Sequence, residues 1–572
     1  MGRPTREGTA VTGFRTFIDT FHARAAATPE RDALVLLSES GGRLRPEPVG
    51  YGELAALVRL LAARLTAHTA PGDRVLVLQS SRRLFAASFL ACLHAGRVAV
   101  PVAPPGGRGH HDERIAGIVK DAAASCVLTG SAHAAEASQL LARAGFTGVT
   151  CLLADRAPDP AEAEEAPHGT VAVDPDDVAY LQYTSGSTRE PRGVMVTQRN
   201  LVANQEAIRT ALDTGPASRF GGWLPLHHDM GLVGQLLHPL WLGTTTVMLT
   251  PQTFVKAPLN WLDTISRYGL TVSGGPDFGY ELCLRRVNDL QIAALDLTAW
   301  RTAVNGGEPV DPVTAAAFAD RFAAAGLRPE ALTPAYGLAE ATLLVSAHRP
   351  DDRGGAADCG VPVDAEVRIV DPDTGAERAP GQTGEIWVRG DGVARGYWRR
   401  PAETAATFGA RISGTGGTGF LRTGDLGALD PAGRLRITGR IKDVMVIAGR
   451  NVHPQDIERT VQQVSALFGP ASVFAVPGER EHVVLVQEVR ARSHYNIDLT
   501  ELAAKVAARI GDEHEVHTAG LLFVSPGTVR RTTSGKVERA AMRRMFLNGE
   551  LRPLHQRLDA EVERLLSAGV RA

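Results

Sequence analysis

From residue 73 onward, short unbroken apolar runs alternate with segments of helical period, and no other feature of the chain restricts its fold as much. Residues 73–79 (Asp-Arg-Val-Leu-Val-Leu-Gln), 97–102 (Arg-Val-Ala-Val-Pro-Val) and 125–129 (Ser-Cys-Val-Leu-Thr) have the make-up of strands buried on both faces, and 83–94 reads as a helix between the first two. Such strands persist where helices cover both sides, so the rhythm predicts a mostly parallel, helix-covered sheet. A stretch rich in Ala, Pro, Asp and Glu, 157–168, is the first candidate linker. Beyond it the rhythm resumes from about 171 to 346, with strands near 179–183, 245–249, 270–273 and 302–305. From 361 to 438 the helical period disappears, and turn-separated strands such as 385–389 and 434–438 point to a small β-barrel-like unit. The remainder mixes helices (454–464, 499–510, 537–546) with strands (472–476, 483–489, 521–524). The expectation is an α/β protein: an N-terminal domain, 1–440, with α/β subdomains at about 1–170 and 171–346 and a β subdomain at about 347–440, then a small α+β domain, 441–572.

Charge narrows the partners. The 61 Lys and Arg nearly balance 63 Asp and Glu, for a formal net charge of -2. That balance offers no long-range field for a nucleic-acid backbone or an anionic membrane, so any anion bound here is small and gripped locally. The cysteines Cys92, Cys126, Cys151, Cys283 and Cys359 are odd in number and mostly inside apolar runs, which reads as reduced packing rather than a disulfide framework or a zinc site. Residues 1–17 lack the apolar core of a signal peptide, and the longest apolar stretch, 84–105, is interrupted by His94 and Arg97. The expectation is a cytoplasmic protein with no export signal and no membrane span.

The most informative chemical segment is Tyr180-Leu-Gln-Tyr-Thr-Ser-Gly-Ser-Thr-Arg-Glu-Pro-Arg-Gly-Val194. A strand runs into a loop where Thr184, Ser185, Ser187 and Thr188 offer hydroxyls and Gly186 lets backbone N–H groups approach a phosphate. An ordinary Ser/Thr-rich turn has the same composition, and the spacing is not that of a Walker A loop. Further on, Ala335-Tyr-Gly-Leu-Ala-Glu-Ala-Thr342 sets Glu340 just beyond a tight aromatic-glycine turn. Phe420-Leu-Arg-Thr-Gly-Asp-Leu-Gly427 presents Asp425 in a turn, Thr438-Gly-Arg-Ile-Lys-Asp443 joins the β unit to the last domain, and Thr532-Thr-Ser-Gly-Lys-Val-Glu-Arg539 carries Lys536.

In this order the motifs resemble those of the adenylate-forming superfamily, which includes acyl-CoA synthetases, nonribosomal adenylation domains and luciferases. Within it the chain most resembles the fatty acyl-AMP ligases, through Thr188-Arg-Glu-Pro, Leu224-Pro-Leu-His-His-Asp-Met-Gly-Leu232, Ser273-Gly-Gly-Pro-Asp-Phe278, Asn305-Gly-Gly-Glu-Pro-Val310 and Gly449-Arg-Asn-Val-His-Pro-Gln-Asp-Ile-Glu458. The resemblance implies ATP and Mg²⁺ as cofactors and a carboxylic acid, fatty or bulky, as substrate. It implies that Thr184, Ser185, Gly186, Ser187 and Thr188 grip the β- and γ-phosphates, that Gly307 and Glu308 touch adenine, and that Tyr336, followed by Gly337, stacks on it. Asp425 would accept the ribose hydroxyls, with Arg440 reaching the same sugar, and Glu340 would hold Mg²⁺. Lys442 would stand at the hinge of a mobile C-terminal domain. His228, Asp229, Met230, Gly234 and Gly275 would border the acyl pocket, although an Asp capping a helix beside a hydrogen-bonded His reads equally well.

Lys536 carries the strongest expectation. A carboxylate attacking the α-phosphate brings two anions together, and an ammonium on a flexible stem can bridge them. Only five of the 61 basic residues are lysine, so lysine at this position is not a product of compositional drift, whereas Arg192 stands where the superfamily usually has Lys. The second acceptor is less constrained. Fatty acyl-AMP ligases carry an inserted segment after the Tyr-Gly-Leu-Ala-Glu motif, and here only 347–358 separates that region from Cys359-Gly-Val-Pro362. Transfer to an acyl carrier protein is the leading expectation, a complete synthetase using free CoA the alternative, and a non-catalytic acyl- or nucleotide-binding relative the third reading.

Overall fold

The computed structural model describes residues 15–105, 109–157, 169–184, 191–348, 358–414, 416–447, 450–478, 481–490, 498–532 and 536–569. They fall into two compact units, Met1–Thr423 with Gly427–Ile437, and Gly424–Leu426 with Thr438–Ala572.

Two large sheets organise the first unit. In the six-stranded sheet Thr150–Leu153, Cys126–Thr129, Arg74–Leu78, Val98–Val102 and Val178–Tyr183 run parallel, and Gly193–Thr197 closes one edge antiparallel. Val75, Leu76 and Val77 are wholly buried, as strands covered on both faces must be. The eight-stranded sheet has the order Leu344–Ala347, Leu332–Gly337, Thr302–Gly306, Val272–Gly275, Phe220–Gly222, Thr246–Met248, Asp32–Ser40, Arg43–Gly50, parallel within and antiparallel at both edges. This is the α/β class the apolar rhythm predicts. Trp261 and Trp300 anchor the second sheet's core; their indole N–H groups donate to Ser273 Oγ (2.8 Å) and the Thr302 carbonyl (3.1 Å), so two large rings are buried without orphaned donors.

Three local features depart from the sequence reading. The hairpin Asp32–Ser40/Arg43–Gly50, absent from that reading, turns on Gly41 and Gly42, both at positive φ (59° and 75°), as a two-residue turn of this hand requires. The β unit, with strands Glu366–Val370, Gly384–Arg389, Ala410–Arg411, Thr418–Leu429 and Leu435–Arg440, also contains a helix, Pro401–Phe408. None of its residues is fully buried, so no apolar stripe marks it in the sequence. The helix that follows Asp229 begins as a π-helix, Met230–Leu237, and becomes α-helical only over His238–Leu242. Wide turns of this kind concentrate at functional sites.

In the second unit a four-stranded sheet, Phe468–Val476, His482–Val489, Thr518–Val524 and Pro553–Leu558, is covered on both faces. Val483 and Leu485 face Ile457, Val461, Val506 and Ile510, while Val484 and Val486 face Met542 and Phe546, the period-2 division of a pleated strand. The last strand, Pro-Leu-His-Gln-Arg-Leu, is half-buried and polar, which hides it from a search for apolar runs.

Candidate active site

The strand Val178–Tyr183 delivers Thr184 to the mouth of the hydroxyl-rich loop. There its N–H donates to the Arg192 carbonyl (3.4 Å), and Arg114 donates to the Thr184 carbonyl (3.1 Å). Ser185, Gly186, Ser187 and Thr188 lie outside the described residues. Arg192, at the loop's exit, places its Nε 3.1 Å from Glu403 Oε2 and its guanidinium over the Tyr397 ring, 5.7 Å from the centroid.

Glu340 sits on a single 3₁₀ turn, Ala339–Ala341, that follows the strand ending in Tyr336 and Gly337. Close approach dictates the glycine, since a Cβ at 337 would lie 1.8 Å from the Leu343 carbonyl oxygen. The chain then reverses at Thr342 (φ 67°, ψ -60°), where the Leu343 N–H donates to the Ala341 carbonyl at 2.8 Å. This is the strained, positive-φ γ-turn, rare for a β-branched residue. It persists because its surroundings hold it from several sides. The wholly buried Thr342 hydroxyl donates to the Gly392 carbonyl (2.8 Å), and the Asn204 amide donates to the carbonyls of Ala341 (3.3 Å) and Leu344 (2.9 Å). The half-buried carboxylate of Glu340 accepts the Tyr397 hydroxyl at 3.0 Å. Burial, reinforced by the Glu340 charge and opposed by Arg192, raises the Tyr397 phenol above its ordinary range, so it remains a donor.

Local contacts place the residues expected at the adenine and the acyl group. Gly307, at φ 85°, has Met230 Sδ as its nearest neighbour, 4.0 Å from where a Cβ would stand. Glu308 accepts the Phe278 N–H at 2.8 Å, at the start of helix Asp277–Arg286, so it works as a helix cap. Beside it Asp277 is pushed up to about 7 by burial, a shift that the Glu308 charge adds to. Asp229 accepts the Met230 N–H (2.8 Å) and so caps the π-helix. The ring of His228 lies 4.5 Å from that of His227, whose carbonyl accepts the Gln182 amide from the strand before the loop (2.9 Å). Gly234 approaches Leu343, with a notional Cβ 3.4 Å from Cδ2. At Gly275 a Cβ would meet the Trp223 ring at 2.8 Å; the glycine makes room for an indole stacked on Phe254 (3.9 Å, 9°).

In the second unit Asp425, 5% exposed, accepts the Arg440 Nε–H at 2.8 Å, so the two residues expected at the ribose are brought together as an ion pair. Lys442 is exposed on the 3₁₀ turn Ile441–Asp443. Lys536 closes a small hairpin. The Thr532 N–H donates to the Lys536 carbonyl (2.8 Å), the Lys536 N–H donates to Thr532 Oγ1 (3.1 Å), and Arg531 bridges Val537.

A family model for AMP-binding enzymes matches residues 21–398, and one for the AMP domain of Disco-interacting protein 2-like proteins matches 442–556. The chain belongs to the AMP-binding enzymes. It is 36% identical to the medium-chain-fatty-acid–[acyl-carrier-protein] ligase JamA of Moorena producens, covering 94% of this chain and 96% of that one. It is 35% identical to the 4-hydroxyphenylalkanoate adenylyltransferase of Mycobacterium tuberculosis, over 90% and 88%. The crystal structure of the fatty acyl-adenylate ligase from Legionella pneumophila in complex with acyl adenylate and pyrophosphate superposes with a TM-score of 0.72 at 31% identity, covering 96% of this chain and 99% of that one.

For this AMP-binding enzyme, Mg²⁺ fits Glu340 by donor type, a hard carboxylate oxygen suited to an ion that takes its other ligands from phosphates and water. Among the described residues no three His, Cys, Asp or Glu side chains converge on a metal site. His514 bonds Thr460, and His517 bonds Asp559. The described cysteines are unpaired with one another, and burial pushes the thiols of Cys126 and Cys359 up to about 12. No described helix is long and apolar enough to cross a membrane.

Two sets of site residues escaped the sequence reading of this AMP-binding enzyme. Tyr397 and Asn204 hold Glu340 and its turn from chain segments remote in sequence. Arg539, three residues beyond Lys536, makes a two-point contact with Glu458 (Nε to Oε1, 2.9 Å) and lies 3.4 Å from Asp443. Arg539 and Glu458 are the terminal residues of the motifs 532–539 and 449–458, the signal that could have joined them.

Proposed function

We propose that this AMP-binding enzyme uses ATP to convert a carboxylic acid into an acyl-AMP, releasing pyrophosphate, and then passes the acyl group to the phosphopantetheine thiol of a carrier protein. The observation that carries the reading is the near full-length match to JamA, named as a ligase of fatty acids to acyl carrier protein. A carboxylate oxygen of the acid attacks the α-phosphorus while the bond to the pyrophosphate oxygen breaks. The thiolate then attacks the acyl carbonyl, and AMP leaves.

In this reading Thr184 to Thr188 hold the β- and γ-phosphates until pyrophosphate departs. Tyr336 stacks on adenine, with Gly307 leaving its edge open. Asp425 and Arg440 address the ribose as a pair. Lys536 neutralises charge on the attacking carboxylate and the α-phosphate oxygens, where a preorganised cation has its greatest effect. Glu340 would hold Mg²⁺, which when bound supplies positive charge shared among the phosphate oxygens. His228, Asp229, Met230, Gly234 and Gly275 border the acyl group, with the Trp223–Phe254 stack as a rigid apolar wall. The names of these relatives span medium-chain fatty acids and 4-hydroxyphenylalkanoates, so the acid proposed has an apolar tail that tolerates a terminal ring.

Acid-dependent pyrophosphate exchange across linear, aromatic and polycyclic acids, followed by product analysis with holo-carrier protein or free CoA, tests the reading. The expected result is exchange with a subset of acids, acyl-AMP accumulating with CoA and consumed by the carrier. Ready formation of acyl-CoA would replace it with a complete acyl-CoA synthetase, the outcome that the short 347–358 segment favours. Exchange with no acid would leave a non-catalytic relative.

A further inference from the structure

We propose that Tyr397 is a positioning residue: its phenol sets the direction of the Glu340 carboxylate, and its ring docks the exit of the phosphate loop, so that the two are held in one register. The inference rests on the reading of Glu340 as the Mg²⁺ ligand. The segment carrying Tyr397 lies beside the strand that leaves the loop. Arg395 N–H donates to the Met195 carbonyl (3.0 Å), Met195 N–H to the Gly396 carbonyl (2.8 Å) and Trp398 N–H to the Gly193 carbonyl (2.8 Å). The same segment grips the main chain of Glu340, since the Ala394 N–H donates to the Glu340 carbonyl at 2.8 Å.

The tyrosine itself has little freedom. Phe408 meets its ring edge-on (5.2 Å, 79°), and its N–H donates to Thr404 Oγ1 at 3.0 Å, both partners lying on helix Pro401–Phe408. Glu403 of that helix pairs with Arg192 while the Arg192 guanidinium covers the ring. One aromatic side chain therefore ties the helix, the loop exit and the carboxylate together. A hydroxyl donated to Oε1 occupies one lone pair of the carboxylate and restrains its rotation, which narrows the directions from which a cation can meet it. Outer-sphere bonds of this kind are typically worth about 10–100-fold in metal affinity.

The test measures equilibrium ATP binding by calorimetry at graded Mg²⁺, without acid substrate, for the whole chain and for Tyr397→Phe, Tyr397→Leu and Glu340→Gln. Tyr397→Phe keeps the ring and should raise the Mg²⁺ concentration for half-maximal binding about 10-fold, with ATP affinity at saturating Mg²⁺ unchanged and a melting temperature within about 3 °C of the parent. A purely structural role would lower the melting temperature and leave the Mg²⁺ requirement alone, which overturns the proposal. Tyr397→Leu should also weaken ATP binding at saturating Mg²⁺, because Arg192 loses its seat; equality with Tyr397→Phe overturns the docking half. If Glu340→Gln shifts the Mg²⁺ requirement and Tyr397→Phe does not, the positioning claim fails alone. If Glu340→Gln shifts nothing, the metal reading fails and takes the proposal with it.

Discussion

Glu340 and Lys536 are the two charged groups on which the proposed chemistry turns, and the chain supports them by opposite means. Glu340 stands on a 3₁₀ turn that runs into the strained γ-turn at Thr342, and bonds to Gly392, Asn204 and Tyr397 hold the pair of turns from other segments of the first unit. The backbone of Lys536 is bonded at both its carbonyl and its N–H to Thr532, four residues away. Three residues on, Arg539 contacts Glu458 of the same unit at two points. A metal ligand must present its oxygen in one direction, and packing from several sides achieves that. An ammonium acting as a point charge needs reach more than direction, and support from its own stretch of chain suffices.

The comparison can be broken at several points. Lys536→Ala should lower acid-dependent pyrophosphate exchange by at least ~10²-fold, the scale of deleting one transition-state donor, with the unfolding midpoint unchanged. Full activity in this variant would remove lysine from the chemistry. Gly337→Ala pushes a methyl against the Leu343 carbonyl and should cost about 2–4 kcal/mol in denaturant unfolding, because the γ-turn cannot yield without displacing Glu340. A neutral result would show that the turn is softer than its contacts imply. Arg539→Ala should cost less, about 1–2 kcal/mol, since both partners are partly exposed (21% and 14%). Arg539→Lys should not restore it, because an ammonium cannot reproduce the two-point contact. Full restoration by lysine would reduce the anchor to simple charge pairing.

Much of the fold is legible in the sequence because burial on both faces leaves a composition that needs no partner to be recognised. The run from Val75 to Leu78 and the strands Val98–Val102 and Cys126–Thr129 are apolar throughout for that reason. Elements with no buried stripe escape, as helix Pro401–Phe408 and strand Pro553–Leu558 do. The hairpin at Gly41 and Gly42 escaped too, although paired glycines mark its turn, because its strand Arg43–Gly50 is largely exposed and lacks an apolar run. At the site, Glu340, Asp425 and Lys536 could be named from motif order. Thr342 and Gly337 could be named only as motif members, since the γ-turn that requires them closes through Leu343 and Asn204.

The sequence by itself determined the mostly parallel helix-covered architecture and the chemical groups available to act, because both follow from residue type and short-range pattern. It could not determine which groups hold others in place. Tyr397 reaches Glu340 across 57 residues, Asn204 reaches Ala341 across 137, and Arg539 reaches Glu458 across 81. The pairing of Asp425 with Arg440 and the burial that raises Asp277 depend likewise on neighbours supplied by folding. Hydrogen-bond direction and burial are properties of packed pairs, and no local period in one segment records what another segment will bring against it.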